Sequence, residues 1–166
     1  MTKFLLIPLI LCFTLLPSFS FIEGRVENVI PFDYTKLNQT ELETKAEGYY
    51  AIAIKSSKLN DNTTQALNLY SLLANAYPEN ITYPLKVGKL YDVIGKDRYA
   101  KGFYYRAMNI DKKNPEPYVY LGDYFYKREQ YRKALKFYLK SYENGGTKVR
   151  DKVNKIYAKF GDSKRI

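Results

Sequence analysis

Residues Tyr124 to Tyr142, YFYKREQYRKALKFYLKSY, interleave aromatic rings with lysine and arginine. The chemistry such a stretch could do is to hold single-stranded nucleic acid, with cations on the phosphates and rings under the bases. That function needs rings and charges on one face. At helical spacing Ala134, Leu135, Tyr138, Ser141 and Tyr142 share one side, while Arg132, Lys133, Lys136 and Lys140 lie on another. Nucleic acid is therefore not the expected partner.

Catalysis finds little to work with. The 166 residues contain no histidine and no tryptophan, and the one cysteine is Cys12. The usual neutral-pH acid and base, the commonest metal ligand and a thiol nucleophile beyond Cys12 are all missing. No glycine-rich phosphate loop, nucleophile elbow or metal-spaced ligand set occurs. Glu41 and Glu43 sit near a predicted helix start, where carboxylates favour the helix dipole. The expectation is no enzyme, no cofactor and no metal.

The N-terminus reads as an address. MTKFLLIPLILCFTLLPSFS carries Lys3, an apolar run from Phe4 to Leu16, then Pro17 and the small-x-small triplet Ser18, Phe19, Ser20. This is the pattern of a signal peptide cut after Ser20, which predicts a secreted, periplasmic or cell-envelope protein. The alternative is an uncleaved anchor made by the same segment. After cleavage no cysteine remains, so stability would come from packing without disulfides. Asn38, Asn62 and Asn80 each begin an N-x-Ser/Thr triplet, which matters only in a glycosylating host.

Beyond this segment the chain repeats itself at one constant step. Ala66, Ala100 and Ala134 keep that step, as do Tyr70, Tyr104 and Tyr138; Ala53, Val87 and Leu121 are all apolar; Ile54 is followed by Gly88 and Gly122. Without gaps the register divides the chain into residues 47–80, 81–114 and 115–148. Each unit reads as two helices, near 41–58 and 63–76, 83–94 and 98–110, and, in the third, a helix capped by Asn114 and a second ended by Gly145-Gly146. Thr40 with Glu43 forms the expected capping box of the first. A final amphipathic stretch, Thr147 to Phe160, sets Val149, Val153, Ile156 and Phe160 against Lys148, Lys152, Lys155 and Lys159. Such an end helix shields the last apolar face of a stack. The organisation expected is a signal peptide at 1–20, an N-terminal segment and helix start at 21–46, repeats at 47–148, and a capping helix and tail at 149–166.

This pattern resembles the tetratricopeptide repeat. The third unit matches it at Tyr118, Leu121, Gly122, Phe125, Ala134 and Tyr138, with Ser141 in place of the second alanine. The second unit matches at Gly88, Tyr91, Ala100, Tyr104 and Ala107, with Pro84 in the first aromatic place. The first keeps Tyr50, Ala66, Tyr70 and Pro78 but has Ile54 and Ser57 where a glycine and an aromatic belong. The resemblance implies an all-α fold, a right-handed superhelical stack of helix-turn-helix repeats whose first helices line a groove for a protein or peptide partner.

The groove-facing stripe implied by the resemblance runs Ala51, Lys55, Lys58, then Leu85, Lys89, Asp92, then Val119, Asp123, Tyr126, bordered by Lys86, Tyr120 and Lys127. Chaperone-binding members of the family clamp a C-terminal carboxylate with Lys, Asn and Arg. The corresponding places here include Ala51, Lys55, Glu116 and Tyr120, so that clamp is absent. Charge is uneven along the chain: residues 21–84 hold five basic against eight acidic side chains, and residues 85–166 hold twenty-one against nine. The expected function is an exported protein–protein interaction scaffold or assembly factor. The alternative is a basic peripheral protein that meets an anionic membrane surface or envelope polymer through Arg132, Lys136, Lys140, Lys152 and Lys155.

Overall fold

A computed structural model describes residues 37–56 and 58–161. The expected signal peptide and the segment 21–36 lie outside the described residues, as does the tail 162–166. Seven α-helices follow one another among the described residues: α1 Gln39–Ser56, α2 Asp61–Ala76, α3 Thr82–Val93, α4 Asp97–Ile110, α5 Glu116–Lys127, α6 Tyr131–Glu143 and, after a 3₁₀ turn at Thr147–Val149, α7 Arg150–Lys159. None of these helices is long and apolar enough to cross a membrane. They pack as consecutive pairs, α1 with α2, α3 with α4 and α5 with α6, each pair leaning on the next, and α7 lies against α6. The fold is an all-α stack of helical repeats.

Local chemistry sets the boundaries. α1 begins earlier than Thr40 and Glu43 suggest, because the reciprocal cap is made two residues upstream. Asn38 Oδ1 accepts from the Glu41 amide and Glu41 Oε2 accepts from the Asn38 amide, both at 3.0 Å. Asn60 caps α2 by accepting from the Thr63 amide at 2.9 Å. Asn114 accepts from the Glu116 amide at 2.9 Å, as expected of the residue ahead of α5.

The turn within a pair obeys the repeat step in two units. Gly95 has φ 73° and Glu129, the equivalent position one repeat later, has φ 57°. The same left-handed kink is thus imposed on a non-glycine residue, held by Gln130 N–H donating to Phe125 O at 3.0 Å. The corresponding residue of the first unit is Asp61, which already belongs to α2. That unit lacks the tight turn and has a longer first helix, which is why its sequence matches the repeat least well.

The repeated glycine and tyrosine columns form a single device. A Cβ added at Gly122 would collide with Cε1 and Cδ1 of Tyr138, and one at Gly88 would lie 2.6 Å from Tyr104 Cε1. The Cδ1–Cε1 side of each ring therefore packs directly against the glycine of its own pair, rather than only filling the gap between units. The ring of Tyr104 also reaches forward to Tyr120, stacked at 5.4 Å, and edge-on to Tyr124 at 6.4 Å, so it joins pair two to pair three. In α7 the place one repeat after Gly122 is Ile156, fully buried. A branched side chain thus stands where the two preceding pairs have glycine, and among the described residues α7 covers the last pair without a second helix of its own. Val149 and Val153 join Ile156 in the core, whereas Phe160, expected on that face, is 47% exposed.

Gly122→Ala is expected to destabilise the fold by about 1–3 kcal/mol, since the methyl meets a buried ring that has nowhere to move. Gly102→Ala, in α4 with open space around the added methyl, should stabilise by about 0.5–1 kcal/mol through helix propensity. Urea midpoints of the two variants should move in opposite directions.

Candidate functional site

The residues that could meet a ligand lie on the first helices of the pairs, α1, α3 and α5, which run side by side. Their charged groups are largely paired from one first helix to the next. Lys86 donates to Glu47 at 2.8 Å, Lys127 to Asp92 at 2.7 Å, and Lys152 on α7 to Asp123 at 2.5 Å. Each carboxylate comes from one first helix and each base from the following one, so the bridges tie the stack in register.

Tyrosine hydroxyls add to the same network. Tyr70 on α2 donates to Glu47 at 2.5 Å and Tyr138 on α6 donates to Asp123 at 2.6 Å, while Tyr83 on α3 donates to Glu43. The Lys86 ammonium also sits 4.0 Å from the centre of the Tyr50 ring. Arg128 lies over Tyr124 at 3.7 Å, pairs with Asp97 through Nε at 2.8 Å and reaches Asp92 at 3.4 Å. Glu43, Glu47, Tyr70, Tyr83 and Lys86 line a hollow of about 790 Å³ between α1 and α3.

The electrostatics follow from these contacts. Burial pushes the Glu47 carboxyl up, but the hydrogen bonds from Lys86 and Tyr70 outweigh it and hold the group below the usual range. The Arg128 hydrogen bond holds Asp97 low. Burial, reinforced by neighbouring carboxylates, pushes the hydroxyls of Tyr70, Tyr104 and Tyr138 far above the ordinary tyrosine range. All three hydroxyls stay neutral near neutral pH, and those of Tyr70 and Tyr138 serve as donors to Glu47 and Asp123. Among the described residues no cluster of ligating side chains could hold a metal ion. The arrangement is suited to binding by ammonium groups and ring faces.

The predicted groove residues fall into two groups. Lys86, Asp92, Asp123 and Lys127 are joined in the bridges, and the Asp92 side chain is only 6% exposed. Tyr120 is half-buried on Tyr104, Tyr126 packs edge-on against Tyr131 at 5.3 Å, and Leu85 belongs to the core. Lys55, Lys58 and Lys89 are the open ones: Lys55 and Lys58 are exposed, Lys89 is half-exposed, and none makes an ion pair among the described residues. The contributions of Glu47, Tyr50 and Arg128 were not read from the sequence. The available signal was that α1, α3 and α5 each carry a carboxylate and α3, α5 and α7 each carry a base.

The basic candidates divide too. Arg132, Lys136 and Lys155 are exposed. Lys140 is paired with Glu143 at 3.0 Å, and Lys152, expected on an outward stripe with Lys148 and Lys155, turns inward to Asp123. Lys159 lies over the Tyr131 ring at 4.6 Å. The stripe is therefore broken on α7.

No protein-family model matches the sequence, and no curated protein matches it. Solved structures do resemble the fold. The Sgt2 TPR domain from Aspergillus fumigatus superposes with a TM-score of 0.59 at 18% identity, over 73% of this chain and 80% of that one. The MamA protein superposes with a TM-score of 0.50 at 22% identity, over 71% of this chain and 65% of MamA. At such identities the likeness concerns architecture alone, and it agrees with the repeat register and the ring-on-glycine pairs: the chain has the tetratricopeptide-repeat fold.

Proposed function

We propose that this protein is an exported scaffold or assembly factor that holds a segment of a partner protein on the face built by its first helices. The observation that carries the reading is the difference between paired and unpaired charge on that face. Its carboxylates Glu47, Asp92 and Asp123 are already matched by bases of the next helix. Lys55 and Lys89, equivalent positions one repeat apart, keep ammonium groups with no ion-pair partner among the described residues. Those groups can engage a ligand without first breaking an internal bridge.

Lys55→Glu combined with Lys89→Glu should abolish capture of the native partner by the purified protein, with little change in thermal stability. Undiminished capture by a folded double variant would remove the groove from consideration. Export rests on the N-terminal pattern. Mass spectrometry of the protein recovered from its native host should find a chain that begins at Phe21, and a retained Met1-initiated chain would favour the anchor instead.

A further inference from the structure

Leu135 and Leu139 lie one turn apart on α6 and are half-buried. With Tyr118, Arg132, Lys136 and Lys140 they line a hollow of about 580 Å³ on the last helix pair. The chain itself shows what such a position receives. One repeat earlier, Tyr105 takes the ring of Phe137 edge-on, with centroids 6.2 Å apart, so a second helix seats an aromatic side chain on the second helix before it. Leu139 holds the place of Tyr105 in the next repeat, and among the described residues no further second helix brings it a ring. The polar surround has one dominant sign: Arg132 and Lys136 are exposed and without an ion pair among the described residues, and only Lys140 is offset, by Glu143 at 3.0 Å.

We propose that this hollow is a docking site for an acidic amphipathic helix of a partner protein, which seats an aromatic side chain against Leu135 and Leu139 and sets carboxylates against Arg132 and Lys136. Burial of the ring supplies the affinity, and the cations select the sign of the partner and speed its approach. A second copy of this chain offering the same edge would oppose like charges. An anionic bilayer would satisfy the cations but not the leucines, which are less exposed than the charges around them. The site lies apart from Lys55 and Lys89, so it stands or falls independently of the groove.

The test uses a stapled, end-capped peptide of the 13 residues Tyr131–Glu143. The peptide keeps Phe137 and carries Arg132→Glu, Lys133→Glu, Lys136→Glu and Lys140→Glu, and it is titrated into the full-length protein by fluorescence anisotropy. Saturable binding is expected, weakened about tenfold or more by Leu139→Glu in the protein and similarly by Arg132→Glu with Lys136→Glu. It should be lost when the peptide carries Phe137→Ala, and should not change when the protein carries Lys55→Glu and Lys89→Glu. If Leu139→Glu proves unfolded by circular dichroism, the exposed Arg132/Lys136 pair decides the matter. The proposal is overturned if no saturation is reached at about 1 mM peptide. It is equally overturned if binding ignores both sets of protein variants, or if phosphatidylserine vesicles bind through Arg132 and Lys136 while the peptide does not.

Discussion

Truncation of Tyr104 to alanine should cost about 3–5 kcal/mol, the range found for removing a large ring from a well-packed core. The side chain is 1% exposed. Its Cδ1–Cε1 side packs against Gly88 within its own pair, and the ring touches Tyr120 and Tyr124 in the next. The variant therefore loses packing inside one repeat and at the interface with its neighbour, the two terms that sum to the stability of a repeat stack. Against a typical total of about 5–15 kcal/mol, this leaves a marginal protein. Tyr104→Phe is the control: no hydrogen bond from the hydroxyl is made among the described residues, so the phenylalanine variant should unfold at nearly the wild-type urea concentration. A loss below about 1 kcal/mol for Tyr104→Ala would mean that the ring is not the joint between pairs two and three.

The second large effect is an alkaline collapse. The hydroxyls of Tyr70, Tyr104 and Tyr138 are held protonated far above their ordinary range by burial and by nearby carboxylates. In the unfolded chain each ionises near pH 10. The folded state then keeps protons that the unfolded state releases, so the contribution of these three groups to stability is level below about pH 10 and falls as pH rises beyond it. Each such tyrosine contributes a loss of about 1.4 kcal/mol per pH unit, and three together about 4 kcal/mol per unit. Helical circular dichroism should therefore vanish in a steep transition above about pH 10.5, together with a burst of tyrosinate absorbance. If the absorbance instead develops gradually around pH 10 while the helices persist, these rings are open to solvent and the packing described above is wrong.

Glu47 and Asp97 act at the other end of the scale with the opposite sign. Their folded values are lowered, so their contribution is present above the ordinary carboxylate range and fades as acid protonates them. Both groups are exposed enough that this effect is small beside the alkaline one.

Much of this was legible in the residues. The alanine column at 66, 100 and 134 and the tyrosine column at 70, 104 and 138 repeat at the length of one helix pair, and apolar spacing within each unit marks the buried faces. Backbone period and side-chain burial are local properties, so the order and approximate bounds of the helices could be read without a neighbour in view. Glycine at 88 and 122 announced a close approach, but not what approaches. Only the packed chain puts the Tyr104 and Tyr138 rings there.

The amino-acid sequence by itself determined an all-helical stack of three repeats with a terminal helix, and it marked out the charged side chains carried by the first and second helices. The tertiary structure decided which of those charges are free. Lysine and glutamate arms are long, and the angle at which one helix crosses the next selects their partners, so a repeat step cannot foresee that Lys86 turns to Glu47 or that Lys152 leaves its stripe for Asp123. Lys55 and Lys89, one repeat apart, make no ion pair among the described residues.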